Sequence, residues 1–132
     1  MGSFFAFLFF FITAIAIVVL FLYLYAKVTP YDDYKLIFEK NNKAASIGFG
    51  GAILGFSIPL YGALLSSVSY FDFFIWAIVA MFVQLAFAYV VTKRKGKFSF
   101  EKQIEEDVLS VGILMAFLSI SIGLLNAGAM SY

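Results

Sequence analysis

The sequence predicts an all-α membrane protein with four transmembrane helices, arranged as two tandem two-helix repeats. Three observations support this fold class: an apolar composition, four long runs without basic residues, and a self-similarity at a spacing of 64 residues. Of the 132 residues, 64% are hydrophobic and 13% are charged, and the mean hydropathy is +1.00. A soluble domain carries about twice that share of charged residues. Since a short chain cannot bury so much apolar surface inside one core, the surplus is expected to face lipid.

Each apolar run is long enough to span a bilayer, which takes roughly 20 residues in a helix. The runs cover residues 4–26, 44–68, 71–92 and 108–130, and together they predict a single four-helix transmembrane domain over residues 1–132. Two polar connections mix aromatic and aliphatic residues with charges, at residues 31–43 and 98–107. This mixture predicts a short interfacial helix in each connection.

The basic residues indicate the orientation. All nine lie either between the first and second runs or between the third and fourth: Lys27, Lys35, Lys40, Lys43, Lys93, Arg94, Lys95, Lys97 and Lys102. Cytoplasmic loops of inner-membrane proteins carry the excess of Lys and Arg. Both connections are therefore expected in the cytoplasm, and both termini outside it. Tyr23, Tyr25 and Tyr89 lie where an inner aromatic belt would be.

A shift of 64 residues aligns the first run with the third and the second with the fourth. Nine residues of the second run recur in the fourth, from Ser46 and Gly48 (Ser110 and Gly112) to Ala63 and Ser67 (Ala127 and Ser131). This self-similarity predicts repeats at about residues 4–68 and 68–132. A duplicated two-span unit keeps its orientation, so the halves should be related by a parallel pseudo-two-fold axis along the membrane normal.

Small residues are concentrated in the second and fourth runs. Tight helix packing in lipid depends on such residues, since no hydrophobic force draws helices together there. We expect these two runs to form the inner pair, with contacts through Gly48, Gly51, Gly55, Gly112, Ala116 and Gly123. The first and third runs, rich in Phe, Leu and Val, are expected to face lipid or a partner, for example at Phe10 and Phe82.

Four residues form a candidate polar intramembrane site: Gln84, Asn126, Ser57 and Pro59. A polar side chain at membrane depth needs a partner inside the bundle and is by default a functional candidate. The structural interpretation is favoured for both amides: Gln84 as an interhelical hydrogen-bonding residue, and Asn126 as a partner for carbonyls freed near Pro59. Pro59 with Ser57 would bend the second helix, and such breaks either line a site or shape the packing. Both interpretations remain open from the sequence.

Several classes of chemistry are disfavoured. The chain has no His and no Cys, which removes the commonest general base and metal ligand as well as thiol chemistry. The acidic residues before the fourth run alternate with Lys, and this favours a solvated helix start over a metal or acid–base cluster: Glu101, Glu105, Glu106 and Asp107. No charged residue lies at the centre of a run, where a proton-coupled pump would have one. A net charge of +1 provides no basic face for nucleic acid.

Several segments together resemble the bacterial "domain of unknown function 350" family of small inner-membrane proteins. They are Thr29-Pro30-Tyr31-Asp32-Asp33, Gly51 to Phe56 with Pro59-Leu60, Asp72 to Trp76, Val79 to Leu85, Gly123 to Ala127 and Met130 to Tyr132. The similarity covers nearly the whole chain. It implies a four-helix inner-membrane protein and no particular activity.

From the sequence we expect a non-enzymatic membrane subunit that has no metal and no cofactor. Its partners would be the lipid bilayer and either further copies of itself or a larger membrane complex. The alternative is a channel or carrier for a small solute or ion, formed where the repeats or several protomers meet.

Overall fold

The computed structural model describes residues 2–94 and 99–130, and within them the chain is helical with no strand. The helices are α1 (Gly2–Val28), α2 (Asp33–Phe38), α3 (Lys43–Ser66), α4 (Tyr70–Thr92), α5 (Phe100–Glu105) and α6 (Leu109–Met130). The four long helices are each long and apolar enough to cross a membrane. The predicted all-α fold with four spans is confirmed at this level. Of the two polar connections, the first contains α2 and the second contains α5, while the interfacial position of these short helices and the two-fold repeat stay predictions.

Local sequence sets the helix boundaries. Asn42, Ser69 and Ser99 are the N-cap residues of α3, α4 and α5, and each side chain accepts a hydrogen bond from the backbone N–H three residues later. These bonds satisfy a donor that the first turn of a helix leaves unpaired. Pro30 follows the end of α1 and disfavours helical backbone in the residue before it.

The centre of the bundle is the contact between α3 and α6, the most extensive in the described part of the chain. Helix α4 packs against both members of this pair, and α1 is peripheral, resting on α4 and α3. Most of the Phe, Ile and Leu side chains on α1 point away from the protein. Phe82 is 64% exposed, as expected, but Phe10 is half-buried and its ring meets the rings of Tyr70 and Phe73 edge-on. The expectation that Phe10 faces lipid is therefore wrong.

An aromatic layer joins α1 to α3. The ring of Phe21 stacks on that of Phe56 with centroids 4.5 Å apart, and Tyr25 contacts Phe49 at 5.4 Å. Tyr25 is buried, whereas Tyr23 and Tyr89 are exposed. The belt position expected for Tyr25 is wrong, because two residues along a helix turn a side chain about 200° around its axis.

Candidate functional site

The inner helices touch through backbone at the residues singled out for packing. A Cβ on Gly51 would lie 2.3 Å from Ala116 Cα, and one on Gly112 would lie 2.5 Å from Ala44 O. The Cβ of any side chain at Gly55 would lie 2.4 Å from Ser119 O. Gly48 is looser, since its Cβ would meet only the flexible side chain of Met115, at 3.3 Å. Along most of this contact there is no room for a side chain.

Pro59 changes the hydrogen bonding at the same contact. Proline has no N–H, so the carbonyl of Gly55, four residues earlier, loses its usual helical donor. This carbonyl faces α6 where Gly123 has no side chain, since a Cβ there would lie 2.0 Å from Gly55 O. The Gly55 carbonyl therefore lies directly against the backbone of α6 at Gly123. Helix α3 runs unbroken through Pro59.

Gln84 and Asn126 connect α4 to α6. The Gln84 amide donates to Ser119 O at 3.4 Å, and the Asn126 amide donates to Ala80 O at 3.2 Å. Both side chains are buried, Gln84 with 3% of its surface exposed. Among residues 2–94 and 99–130, the amide oxygen of Gln84 has no hydrogen-bond partner. Ser57 turns to its own helix and donates to Ile53 O at 2.8 Å. Gln84 and Asn126 therefore lie in one interface, while Ser57 bonds within α3.

A second polar group, absent from the sequence-based candidates, lies just beyond the end of α1. It consists of Tyr25, Thr29, Tyr31 and Asp33, all buried, and we call it the Asp33 cluster. The Thr29 hydroxyl donates to the Asp33 carboxylate, and the Tyr31 hydroxyl donates to the sulfur of Met115 on α6 at 3.5 Å. The Tyr25 hydroxyl lies beside that of Tyr31 and has no other hydrogen-bond partner in the described part of the chain.

The turn after α1 places Asp33 in this position. Pro30 ends the first helix, and the Asp32 side chain caps α2 by accepting from the backbone N–H of Lys35. Asp33 is then the first residue of α2, and it points inward while Asp32 points to the surface. Burial raises the pKa of the Asp33 carboxyl from its usual 3.8 to about 7, although the Thr29 hydroxyl lowers it. Burial likewise raises the pKa of the Tyr31 hydroxyl.

The two polar connections bind each other at the same end of the bundle. Asn42 donates to Ile104 O at 2.7 Å while its oxygen accepts from the backbone N–H of Ala45 at 2.8 Å. The Asp107 carboxylate accepts from the backbone N–H of Ala44 at 2.9 Å. Asp107 thus caps α3, and not the helix that follows it in sequence. Within residues 2–94 and 99–130, no three His, Cys, Asp or Glu residues are grouped as a metal site would require.

Comparison with known proteins gives a consistent result. The family model described as "Domain of Unknown Function (DUF350)" matches residues 1–130. The "UPF0719 inner membrane protein YjfL" of Escherichia coli (strain K12) is 35% identical over 107 residues, which are 81% of this chain and 79% of that protein. The protein of the same name from Escherichia coli O157:H7 matches to the same extent. No solved structure matches the chain.

Proposed function

The chain belongs to the DUF350 family of inner-membrane proteins, and on that basis we propose that it is a non-enzymatic subunit that self-associates or joins a larger membrane complex. It is a multi-pass inner-membrane protein by its relatives and its four apolar helices. The resemblance indicated by its sequence motifs is confirmed. We propose further that both termini are extracytoplasmic, which the position of all nine basic residues supports.

One observation supports the subunit role most: the two inner helices, α3 and α6, are in backbone contact. The inner helices meet backbone to backbone, and Gln84 and Asn126 donate their amide hydrogens across the α4–α6 contact. Because these helices pack tightly against each other, their outer faces are the surface that can contact another protein in the membrane. We propose no catalytic residue, because the chain has neither His nor Cys.

The outer face of α3 is where we expect a second copy to dock. Gly50 is exposed, a Cβ on it would meet nothing within 4 Å, and Ser46 is exposed one turn earlier. A glycine that makes no contact in its own chain weakens its helix and contributes no packing there. It does allow the backbone of another helix to come close.

Disulfide cross-linking tests this proposal, because the chain contains no Cys of its own. Gly50→Cys in native membranes should form a disulfide-linked dimer on oxidation, since the Cβ atoms of a disulfide are about 4 Å apart. Phe82→Cys, exposed on α4, is the matched control and should stay monomeric. If Gly50→Cys gives no cross-linked product and the purified chain is monomeric by native mass spectrometry without associated proteins, the proposal is wrong.

A second candidate function is a channel or carrier for a small solute. The observation that favours it is the unpartnered amide oxygen of Gln84, buried where α3, α4 and α6 meet. An unsatisfied buried acceptor destabilises a protein by about 1–3 kcal/mol. A bound solute or ion that contacts this oxygen would remove that cost. Purified protein in liposomes should then carry Na⁺, K⁺ or a small neutral polyol. Gln84→Leu should abolish this flux and Phe82→Leu should preserve it. Absence of flux in the wild-type protein would rule the function out.

A further inference from the structure

The Asp33 carboxylate is buried without a charged partner. Only 1% of the residue's surface is exposed, and across the described ranges 2–94 and 99–130 no basic side chain forms an ion pair with it. A buried carboxylate is normally paired with a cation or neutralised, because a bare charge is costly away from water. Some positive charge must therefore be supplied to Asp33.

Counting donors and acceptors around Thr29 leads to the same requirement. Its hydroxyl is within reach of three acceptors: the Asp33 carboxylate, Tyr31 O at 3.3 Å and Ala26 O at 3.4 Å. A hydroxyl carries one hydrogen, so it satisfies one of the three at a time. The surplus of oxygen lone pairs in this small volume suits a cation better than another hydrogen-bond acceptor.

The two phenols of the cluster leave further oxygen unused. Tyr31 donates to a thioether sulfur, a weak acceptor, and the Tyr25 hydroxyl lies beside that of Tyr31 and has no other partner within residues 2–94 and 99–130. The two adjacent phenolic oxygens therefore keep lone pairs that a cation can use.

The surroundings of the cluster carry negative charge. The titratable groups that face it are Tyr25 from α1, Tyr31 and Asp32 from the connection, and Glu101 and Glu105 from α5. Helix α6 contributes the uncharged Met115. Such a field attracts cations.

We propose that the Asp33 cluster is a binding site for one monovalent cation, at which a proton and an alkali-metal ion compete for the Asp33 carboxylate. One carboxylate balances one positive charge, and hydroxyl, carbonyl and carboxylate oxygens are the ligands that hard cations prefer. Binding of the alkali ion to the protonated site releases the proton to solvent, so charge is conserved. The site is independent of the proposed subunit role.

Thermal unfolding of the purified protein in detergent tests the proposal. The melting temperature is compared in NaCl, KCl and choline chloride at equal ionic strength, about two pH units above and below the pKa of Asp33. At the higher pH, one of the alkali salts should raise the melting temperature above its value in choline chloride. At the lower pH the difference should vanish, because the proton occupies the carboxylate.

Asp33→Asn should abolish the response to both pH and salt, because it keeps the shape of the side chain and removes its charge. Glu39→Gln is the control, since Glu39 is an exposed acid of the same connection that does not act on Asp33, and this variant should leave both responses intact. A wild-type protein without either response, or an Asp33→Asn protein that retains them, would refute the site. A pH response alone would assign the site to the proton and refute the alkali ion.

A second measurement needs no variant. In weakly buffered solution near pH 7, where the Asp33 carboxyl is half-protonated, addition of an alkali chloride should release a fraction of a proton per chain. Choline chloride should release none. Equal release by both salts would refute competition at this carboxylate.

Discussion

Gly123→Ala should be among the most destabilising single-methyl changes in this protein. The added Cβ would lie 2.0 Å from Gly55 O and 2.7 Å from the carbonyl carbon, whereas ordinary contact begins at 3.4 Å. Helix α6 must therefore move about 1.4 Å away from α3 at this point. The obstacle is backbone, which cannot turn aside as a flexible side chain would. Overpacking of this kind costs typically 1–3 kcal/mol, and the upper end applies here.

Gly50→Ala is the matched control, with the same chemical change on the outer face of α3. Its Cβ would meet nothing within 4 Å. A helix with Ala at an interior position is more stable than one with Gly there by roughly 0.5–1 kcal/mol, so this variant should be slightly more stable than wild type. Gly123→Ala gains the same helix preference, so the two variants should differ by the overpacking cost alone, about 3 kcal/mol, which is a factor of roughly 150 in the unfolding equilibrium.

The assay is reversible unfolding in mixed micelles with increasing sodium dodecyl sulfate, followed by the fluorescence of Trp76. Helix content measured by circular dichroism in mild detergent shows whether each variant inserts and folds. If Gly123→Ala and Gly50→Ala unfold at the same detergent fraction, the backbone contact between α3 and α6 does not exist as described.

Four further predictions follow from the polar groups. Asn42→Ala should lower the unfolding free energy by about 1–2 kcal/mol, because it removes a helix cap and the bond to Ile104 O, which keeps the backbone N–H of Asp107 as a donor. Asn42→Ser, which keeps a capping oxygen, should lose less in the same detergent titration. Gln84→Leu should raise the unfolding free energy by up to about 1 kcal/mol, because it removes an unsatisfied buried oxygen together with one long hydrogen bond, whereas Asn126→Leu should lower it by about 1 kcal/mol. A fluorescent reporter that folds only in the cytoplasm should be dark when fused after the last residue and bright when inserted at Arg94, and the reverse pattern would overturn the orientation. Burial raises the pKa of Asp33 above its usual 3.8, so the folded state binds the carboxyl proton more tightly than the unfolded chain does. The free energy of unfolding should therefore fall as the pH rises from about 4 to about 7. The Asp33→Asn variant should lack this fall in a pH titration.

The spans were predictable because the bilayer permits so few alternatives. Backbone polar groups in lipid must be satisfied within the segment, so a long apolar run becomes a helix regardless of its neighbours. The close approach at Gly51 and Gly55 has a local signal as well, since small residues four apart are rare without a packing purpose. These features depend on short stretches of chain.

The Asp33 cluster depends on tertiary structure and could not be derived in this way. Asp32 and Asp33 look alike in sequence, and their opposite orientations follow from the turn at Pro30 and the docking of α2. The same holds for Asp107, which precedes α6 but caps α3 across the bundle. The segment Thr29 to Asp33 entered the sequence analysis only as part of the resemblance to the family, with no site assigned to it.

The contact between α3 and α6 also constrains how the protein is made. Residues 67–108 separate the two helices, so at about 5–20 residues per second the ribosome completes α3 several seconds before α6 starts. During that interval the least hydropathic of the four spans has no partner for its glycine face. The bundle therefore closes only when its last helix is released into the membrane. Until then the nascent chain is a substrate for insertion chaperones and membrane proteases, and early termination within α6 should leave a product that is degraded rather than one that is partly assembled.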